Sequence, residues 1–300
     1  MSQKKDVERK RGNRPGFWFF QSAVRIFGLR GTYGLLYFVS LYYLAFDRSV
    51  VAASKAYVRR RFPDHGVARQ LFDVYLLFVG QGKSLIDRYY VAAGGRDIRL
   101  ELVGYEKIND LLTVEKKGII LLTAHVGNWQ VAMTALRGLG RTVHLMMRPE
   151  DNVAVKEALN IDSEKDTVRI IYTDGAMGGV IEALKAINQG DIVSIMGDRT
   201  YGYGSVEASL LGGKVRFPYG AFSLAAAAQC PVAVLLSAKV GVKKHLTDVS
   251  HVIDPPAGTR GRKIEEIQAC VQEFASVLED YSVRYPYQWF VFRDMWQGNE

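Results

Sequence analysis

The sequence predicts an α/β fold: a mixed, largely parallel central sheet flanked by helices, with an N-terminal helical membrane anchor. Three observations carry this. An uncharged aromatic stretch follows a basic N-terminus, a helical periodicity fills the next segment, and β-rich runs then alternate with amphipathic segments. Three hundred residues suffice for a sizeable core. The organisation reads as residues 1–48, a basic and aromatic membrane-associating segment; 49–93, helices packed on the core; and 94–300, the α/β domain.

The net charge of +8 is concentrated at the start, where residues 1–30 hold eight Lys and Arg against two acids. A basic patch suits nucleic acid or an anionic membrane. The residues that follow favour the membrane. Gly31–Phe46, GTYGLLYFVSLYYLAF, runs 16 residues without a charge and carries four Tyr and two Phe. As a helix it would measure about 24 Å, short of the ~30 Å hydrocarbon core. Together with GFWFF upstream it is expected to lie in, or dip into, one leaflet, its aromatics at the interface and its cations on an anionic membrane surface. Nucleic acid is not an expected partner. The cations flank the segment on its N-terminal side, which keeps the chain on the cytoplasmic face. No small-residue cleavage site follows, which argues against a signal peptide.

Residues 48–92 show apolar positions at three- and four-residue spacing and are expected to be helical. From about Asp97 the texture changes. Strands are expected at 118–124, 142–148, 167–173, 191–197 and 232–240, with helices between them in WQVAMTALRGLG and MGGVIEALKAINQG, stopped by Gly140 and Gly190. A helix over roughly 262–283 and an aromatic tail, YPYQWFVFRDMW, close the chain. Cys230 and Cys270 form neither a disulfide framework nor a zinc pattern, so no metal is expected. The stretch YGYGS follows neither the dinucleotide nor the P-loop pattern, so no nucleotide cofactor is expected.

His125 stands where the run GIILLTA should turn into a helix whose first turn Asn128 can cap. Active-site groups gather at the carboxyl ends of such strands. A helix start nearby favours the neutral imidazole that a general base requires, and its free N–H groups could hold an oxyanion. Against this stands a core histidine held by hydrogen bonds.

AHVGNWQ (124–130) resembles the histidine motif of the bacterial lipid A biosynthesis acyltransferases (the lauroyl/myristoyl group), in the lysophospholipid acyltransferase-like superfamily. Further blocks match in order: MMRPEDN, IEALKAINQGDIVSIMGDRTYG, SLLGGKVRFPYGAFSLA and YPYQWFVFRDMW. The Gly-Asp-Arg block, the Phe-Pro-x-Gly-x-Phe wording and FVGQGKSLIDRYY are most similar to the aryl-polyene and glycosyltransferase-linked members, which acylate other acceptors. The resemblance implies acyl transfer from a thioester, on acyl carrier protein or coenzyme A, to a hydroxyl of a membrane lipid acceptor at the bacterial inner membrane. It requires no cofactor. His125 would be the base.

The family's motif places an acid five positions after the histidine, where this chain has Gln130. An amide can hold the imidazole but supplies no charge, and in serine proteases the acid-to-amide change costs ~10⁴ in turnover. Three readings stay open. Another carboxylate serves, with Asp198 at a strand end as the preferred residue; the enzyme tolerates a neutral partner; or the chain is a catalytically silent lipid-binding or scaffold protein, by nature or by a deliberate change. Asn128, Arg148, Asn152, Arg169 and Arg199 are the candidate substrate-binding residues. The two arginines 148 and 199 suit phosphate or sugar-acid groups, or the carrier's phosphopantetheine, with a structural ion pair as the competing role. Trp289, Phe290 and Phe292 are expected to pack, Asp151 to lie in a solvated loop, and Lys243, Lys244 and His245 to form a solvated basic cluster.

Overall fold

The computed structural model describes residues 14–114, 118–148, 168–174, 176–200, 204–255 and 264–296. Three helices come first: α1 (Arg14–Phe46), α2 (Arg48–Arg61) and α3 (Val67–Ala92). Helix α1 is broken at Gly28, whose φ of 62° residues with side chains rarely adopt. Its inward face sets Leu29, Tyr33 and Leu36 against Ile86 of α3. Its outward face exposes Ile26, Phe27, Phe38, Leu41, Tyr42 and Phe46. Among the described residues no single helix is long and apolar enough to cross a membrane; Phe19–Phe46 and Arg48–Arg61 pass that test only as a pair, bent by 98°. Asp47 sits at the bend and caps α2, accepting the Val50 N–H at 3.3 Å.

From Arg99 strands and helices alternate. The order is β1 (Arg99–Val103), α4 (Tyr105–Val114), β2 (Ile119–Thr123), α5 (Trp129–Ala135, continued by a 3-10 turn to Leu139), β3 (Val143–Met147), β4 (Val168–Tyr172), α6 (Val180–Asn188) and β5 (Ile192–Met196). A hairpin of β6 (Ser205–Leu210) and β7 (Gly213–Pro218) follows, then α7 (Gly220–Ala228), β8 (Val232–Gly241), β9 (Lys244–Ile253) and α8 (Ile264–Arg284). The hairpin forms its own two-stranded sheet, and the other seven strands lie in the order β1-β9-β8-β2-β5-β3-β4. Within that sheet β8 and β9 are antiparallel, and the other neighbours are parallel.

Strand β2 explains why helices cover both faces. All five of its residues, IILLT, are buried. Alternate side chains point to opposite faces: Ile119 and Leu121 meet Ile108 and Leu112 of α4 and Met133 of α5, while Ile120 and Leu122 join Phe274 and Leu278 of α8. A continuous apolar strand is what a parallel sheet buried on both faces demands.

The five expected runs fold as β2, β3, β4, β5 and β8, and Gly140 and Gly190 adopt positive φ of 63° and 86° at the ends of their helices. Strands β1 and β9 and the hairpin lie outside the expectation. In β9, KHLTDVSHVI, the inward positions include His245 and Thr247, both fully buried, so the period-two pattern is written partly in polar residues. The expected solvated cluster of Lys243, Lys244 and His245 is therefore corrected for His245. It is buried against Asp87 of α3, Nε2 to Oδ2 2.8 Å, a partner from a distant segment that takes the place of water at that nitrogen.

Candidate active site

Strands β2 and β5 are parallel neighbours, with Thr123 opposite Met196. Two residues beyond each end stand His125 and Asp198. Parallel strands finish at the same edge, so equal overhangs bring the two side chains together. The Gly197 N–H donates to the Thr123 carbonyl at 2.8 Å, which continues the pairing past the strands. His125 Nδ1 lies 2.7 Å from Asp198 Oδ1. The backbone N–H of His125 donates to Oδ2 at 2.9 Å, and the indole N–H of Trp289 donates to the same oxygen at 3.1 Å.

Asp198 is only 2% exposed. Burial pushes its carboxyl up, but the His125 imidazole and its hydrogen bond, then Arg199, outweigh that and hold it well below the usual carboxylate range. An ionised carboxylate only accepts, so His125 carries its proton on Nδ1 and donates it to Asp198. Nε2 takes no hydrogen bond from the described residues, and the side chain is 24% exposed. A neutral imidazole held at one nitrogen and open at the other can accept a proton from a bound hydroxyl.

The C-terminal tail clamps this turn. Val126 bridges to Trp289 in antiparallel fashion, the Gly127 N–H donates to the Gln288 carbonyl at 2.7 Å, and the Phe290 N–H donates to the His125 carbonyl at 2.9 Å. Trp289 is fully buried, its ring edge-on to Tyr57 with centroids 5.4 Å apart. Gly127 has a φ of 50°, and a Cβ there would lie 1.8 Å from the Ser237 carbonyl oxygen of β8. Only glycine allows the loop to lie so close. Trp289 packs as expected; its hydrogen bond to Asp198 is a contribution the sequence reading missed. The one sequence signal was an indole N–H in an apolar tail, a donor that burial obliges to find a partner.

The structure separates the two candidate partners of His125. Asp198 reaches it. Gln130, also buried, points its Oε1 at Arg88 of α3, which donates from Nη1 at 3.1 Å, and makes no hydrogen bond to His125. Asn128 is a cap: its Oδ1 accepts the Val131 N–H at 3.3 Å, while its Nδ2 donates to the Ser84 carbonyl of α3 at 2.9 Å. The N–H groups expected to be free for an oxyanion are partly spent, Val126 on Ala124, Gly127 on Gln288 and Val131 on Asn128.

Arg199 follows Asp198, is half-buried, and donates from Nη2 to the Phe290 carbonyl at 3.3 Å. Arg148 is exposed immediately after β3, at the same sheet edge as His125. Arg169 pairs with His144 near the start of β4, three residues from the strand end and so about 10 Å from that edge. The fold does not bring it to the site. Asn152 and Asp151 lie outside the described residues. Among the described residues no cluster of three His, Cys, Asp or Glu side chains is arranged to hold a metal ion.

A family model described as bacterial lipid A biosynthesis acyltransferase matches residues 95–298, a span that takes in His125, Asp198 and Trp289. No curated protein matches this chain.

Proposed function

The chain belongs to the bacterial lipid A biosynthesis acyltransferase family, and from that premise we propose that it moves a fatty acyl group from an acyl thioester to a hydroxyl of a membrane lipid. The observation that carries this reading is the pair His125–Asp198, with Nδ1 engaged at 2.7 Å and Nε2 open. In the proposed reaction Nε2 takes the proton of the acceptor hydroxyl as its oxygen attacks the thioester carbonyl carbon. Asp198 stabilises the imidazolium that forms, and the tetrahedral intermediate then expels the thiolate. The imidazolium returns the proton to that sulfur, so the products are an ester and a free thiol. General-base assistance of this kind is typically worth ~10² to 10⁴-fold.

Asp198 supplies the negative charge that Gln130 lacks, so an amide at position 130 gives no reason to regard the chain as silent. Arg199 and Arg148, at the same edge, are proposed to hold anionic groups of donor or acceptor. The exposed aromatic and aliphatic face of α1, including Phe38, Leu41, Tyr42 and Phe46, supports a position at the cytoplasmic face of the inner membrane, with the acceptor delivered from the bilayer. Acyl carrier protein or coenzyme A is the proposed carrier of the acyl group.

The test is acyl transfer from labelled acyl carrier protein and from labelled acyl coenzyme A to a bacterial membrane lipid extract, by wild type and His125→Ala. Transfer by wild type and its loss in His125→Ala are expected. Absence of transfer from either donor by wild type would overturn the reading. Mass spectrometry of membrane lipids from cells with and without the protein names the acceptor and the acyl mass together.

A further inference from the structure

Helix α2 carries a second constellation, remote from His125 in the sequence and unused by the chemistry above. One of its faces is committed to the core through Val50, Val51, Ser54, Ala56, Tyr57 and Val58. Arg48, Ala52, Lys55 and Arg59 follow at steps of four, three and four residues, which at 100° per residue confines them to an arc of about 60°. With Leu44, from the last turn of α1, and Val51 they line a groove of about 410 Å³. The small Ala52 lies between the three cations in this stripe. No acidic residue lines the groove, and among the described residues the ion pairs do not include Arg48, Lys55 or Arg59. Asp47, the nearest acid in sequence, is turned to the start of α2, where it accepts from Val50 N–H and Ser49 Oγ.

We propose that this groove binds the phosphate of an anionic phospholipid headgroup at the membrane surface. Three cations on one turn-spaced stripe, with an apolar floor, fit an oxyanion attached to an apolar body. The neighbouring structure argues for a lipid as its source. The groove opens where α1 ends, and there Tyr42, Tyr43 and Phe46 are exposed by 59%, 45% and 71%. Tyrosine settles at the headgroup level of a bilayer, and Arg and Lys beside it reach the phosphates. The sharp bend between α1 and α2 thus sets an apolar face and a cationic groove side by side, one for the acyl boundary and one for the headgroup. The proposal rests on the membrane-surface reading given above and names the headgroup that reading leaves open.

The experiment is co-flotation of the full chain with vesicles of phosphatidylcholine alone and of phosphatidylcholine doped with phosphatidylglycerol. Wild type is compared with the triple variant Arg48→Gln/Lys55→Gln/Arg59→Gln and with a control triple, Arg99→Gln/Lys107→Gln/Lys185→Gln, on exposed positions of other elements. The groove triple is expected to lose the phosphatidylglycerol-dependent gain in partitioning by on the order of 100-fold, about fivefold per cation, and to keep its partitioning onto phosphatidylcholine. The control triple should keep both. Equal weakening in the two triples would overturn the groove in favour of diffuse charge, leaving the membrane reading intact. Wild type that floats with neither vesicle would overturn both. Displacement by inorganic phosphate at matched ionic strength would assign the groove to a free anion instead. Unaltered vesicle binding combined with loss of acyl carrier protein binding in the groove triple would overturn the proposal in favour of an acidic protein partner.

Discussion

Two histidine–aspartate pairs in this protein have nearly the same heavy-atom separation and opposite consequences. His125 and Asp198 meet at 2.7 Å at the carboxyl edge of the sheet, and His245 and Asp87 meet at 2.8 Å deep between β9 and α3. In the first, the aspartate is shared only with N–H donors, the imidazole is partly open, and the unengaged nitrogen is free for a ligand. In the second, both residues are fully buried, and Asp87 also accepts from Lys239 Nζ at 2.6 Å and from the Tyr33 hydroxyl. The remaining nitrogen of His245, Nδ1, is buried without a partner among the described residues. All five histidines of the chain contact a carboxylate, so pairing by itself marks nothing. What sets the proposed base apart from a structural strut is the nitrogen left over and whether anything can reach it.

That contrast makes sharp demands. Asp198→Asn should lower acyl transfer by ~10⁴-fold, because an amide neither selects the Nδ1–H tautomer nor balances the imidazolium. Three N–H donors then face a neutral acceptor, so stability should fall as well, and the rate is read per folded molecule with a urea titration beside the kinetic assay. Asp87→Asn should spare the chemistry. Removing the acid from a buried network strands Lys239 and costs about 3–5 kcal/mol of stability, while transfer per folded molecule persists. If Asp87→Asn instead abolished catalysis in a stably folded protein, the division between the pairs would collapse.

Trp289→Phe removes one charge-assisted donor from Asp198 and should cost about 1.5–3 kcal/mol, read as a combined loss in kcat/KM and in stability. No loss in either would reduce the tail to packing alone. Acid unfolding sharpens the same point with a worked sign. The Asp198 carboxyl takes up its proton near 3.8 in the unfolded chain and at lower pH in the folded one. Its contribution is therefore fully present above that value and is lost as pH falls towards the folded pKa. Wild type should lose stability more steeply than Asp198→Asn below pH 3.8; parallel curves would contradict the depressed carboxyl. The smallest effect is expected from Gln130→Glu. The new carboxylate would meet Arg88, not His125, and with no charge added beside the imidazole the rate should change by less than about tenfold. A large gain in activity would reinstate residue 130 as the partner of the base.

Much of this was legible before any coordinate. The strands β2, β3, β4, β5 and β8 were legible because their apolar runs report burial on both faces of a parallel sheet. His125 and Asp198 stood out because each directly follows such a run, 118–124 and 191–197. Strand β9 was not legible, because its inward face carries His245 and Thr247, whose burial depends on groups more than a hundred residues away or on none. Asn128 was legible as a cap, since capping is local; its hold on Ser84 was not. Arg169 lies early in the expected strand 167–173, and β4 keeps it three residues from the edge where His125 stands.

The amino-acid sequence by itself determined the layers, the strand ends and the identity of the groups that stand there, because hydrophobic periodicity and capping act over a few residues. Tertiary structure alone decided which groups meet. The parallel register of β2 and β5 gives His125 its aspartate, and the returning tail delivers the Trp289 indole to the same carboxylate. Packing of α3 draws Gln130 away to Arg88. Local propensity cannot encode such choices, since each depends on two distant segments being brought within 3 Å or so, a separation set by sheet register and core packing.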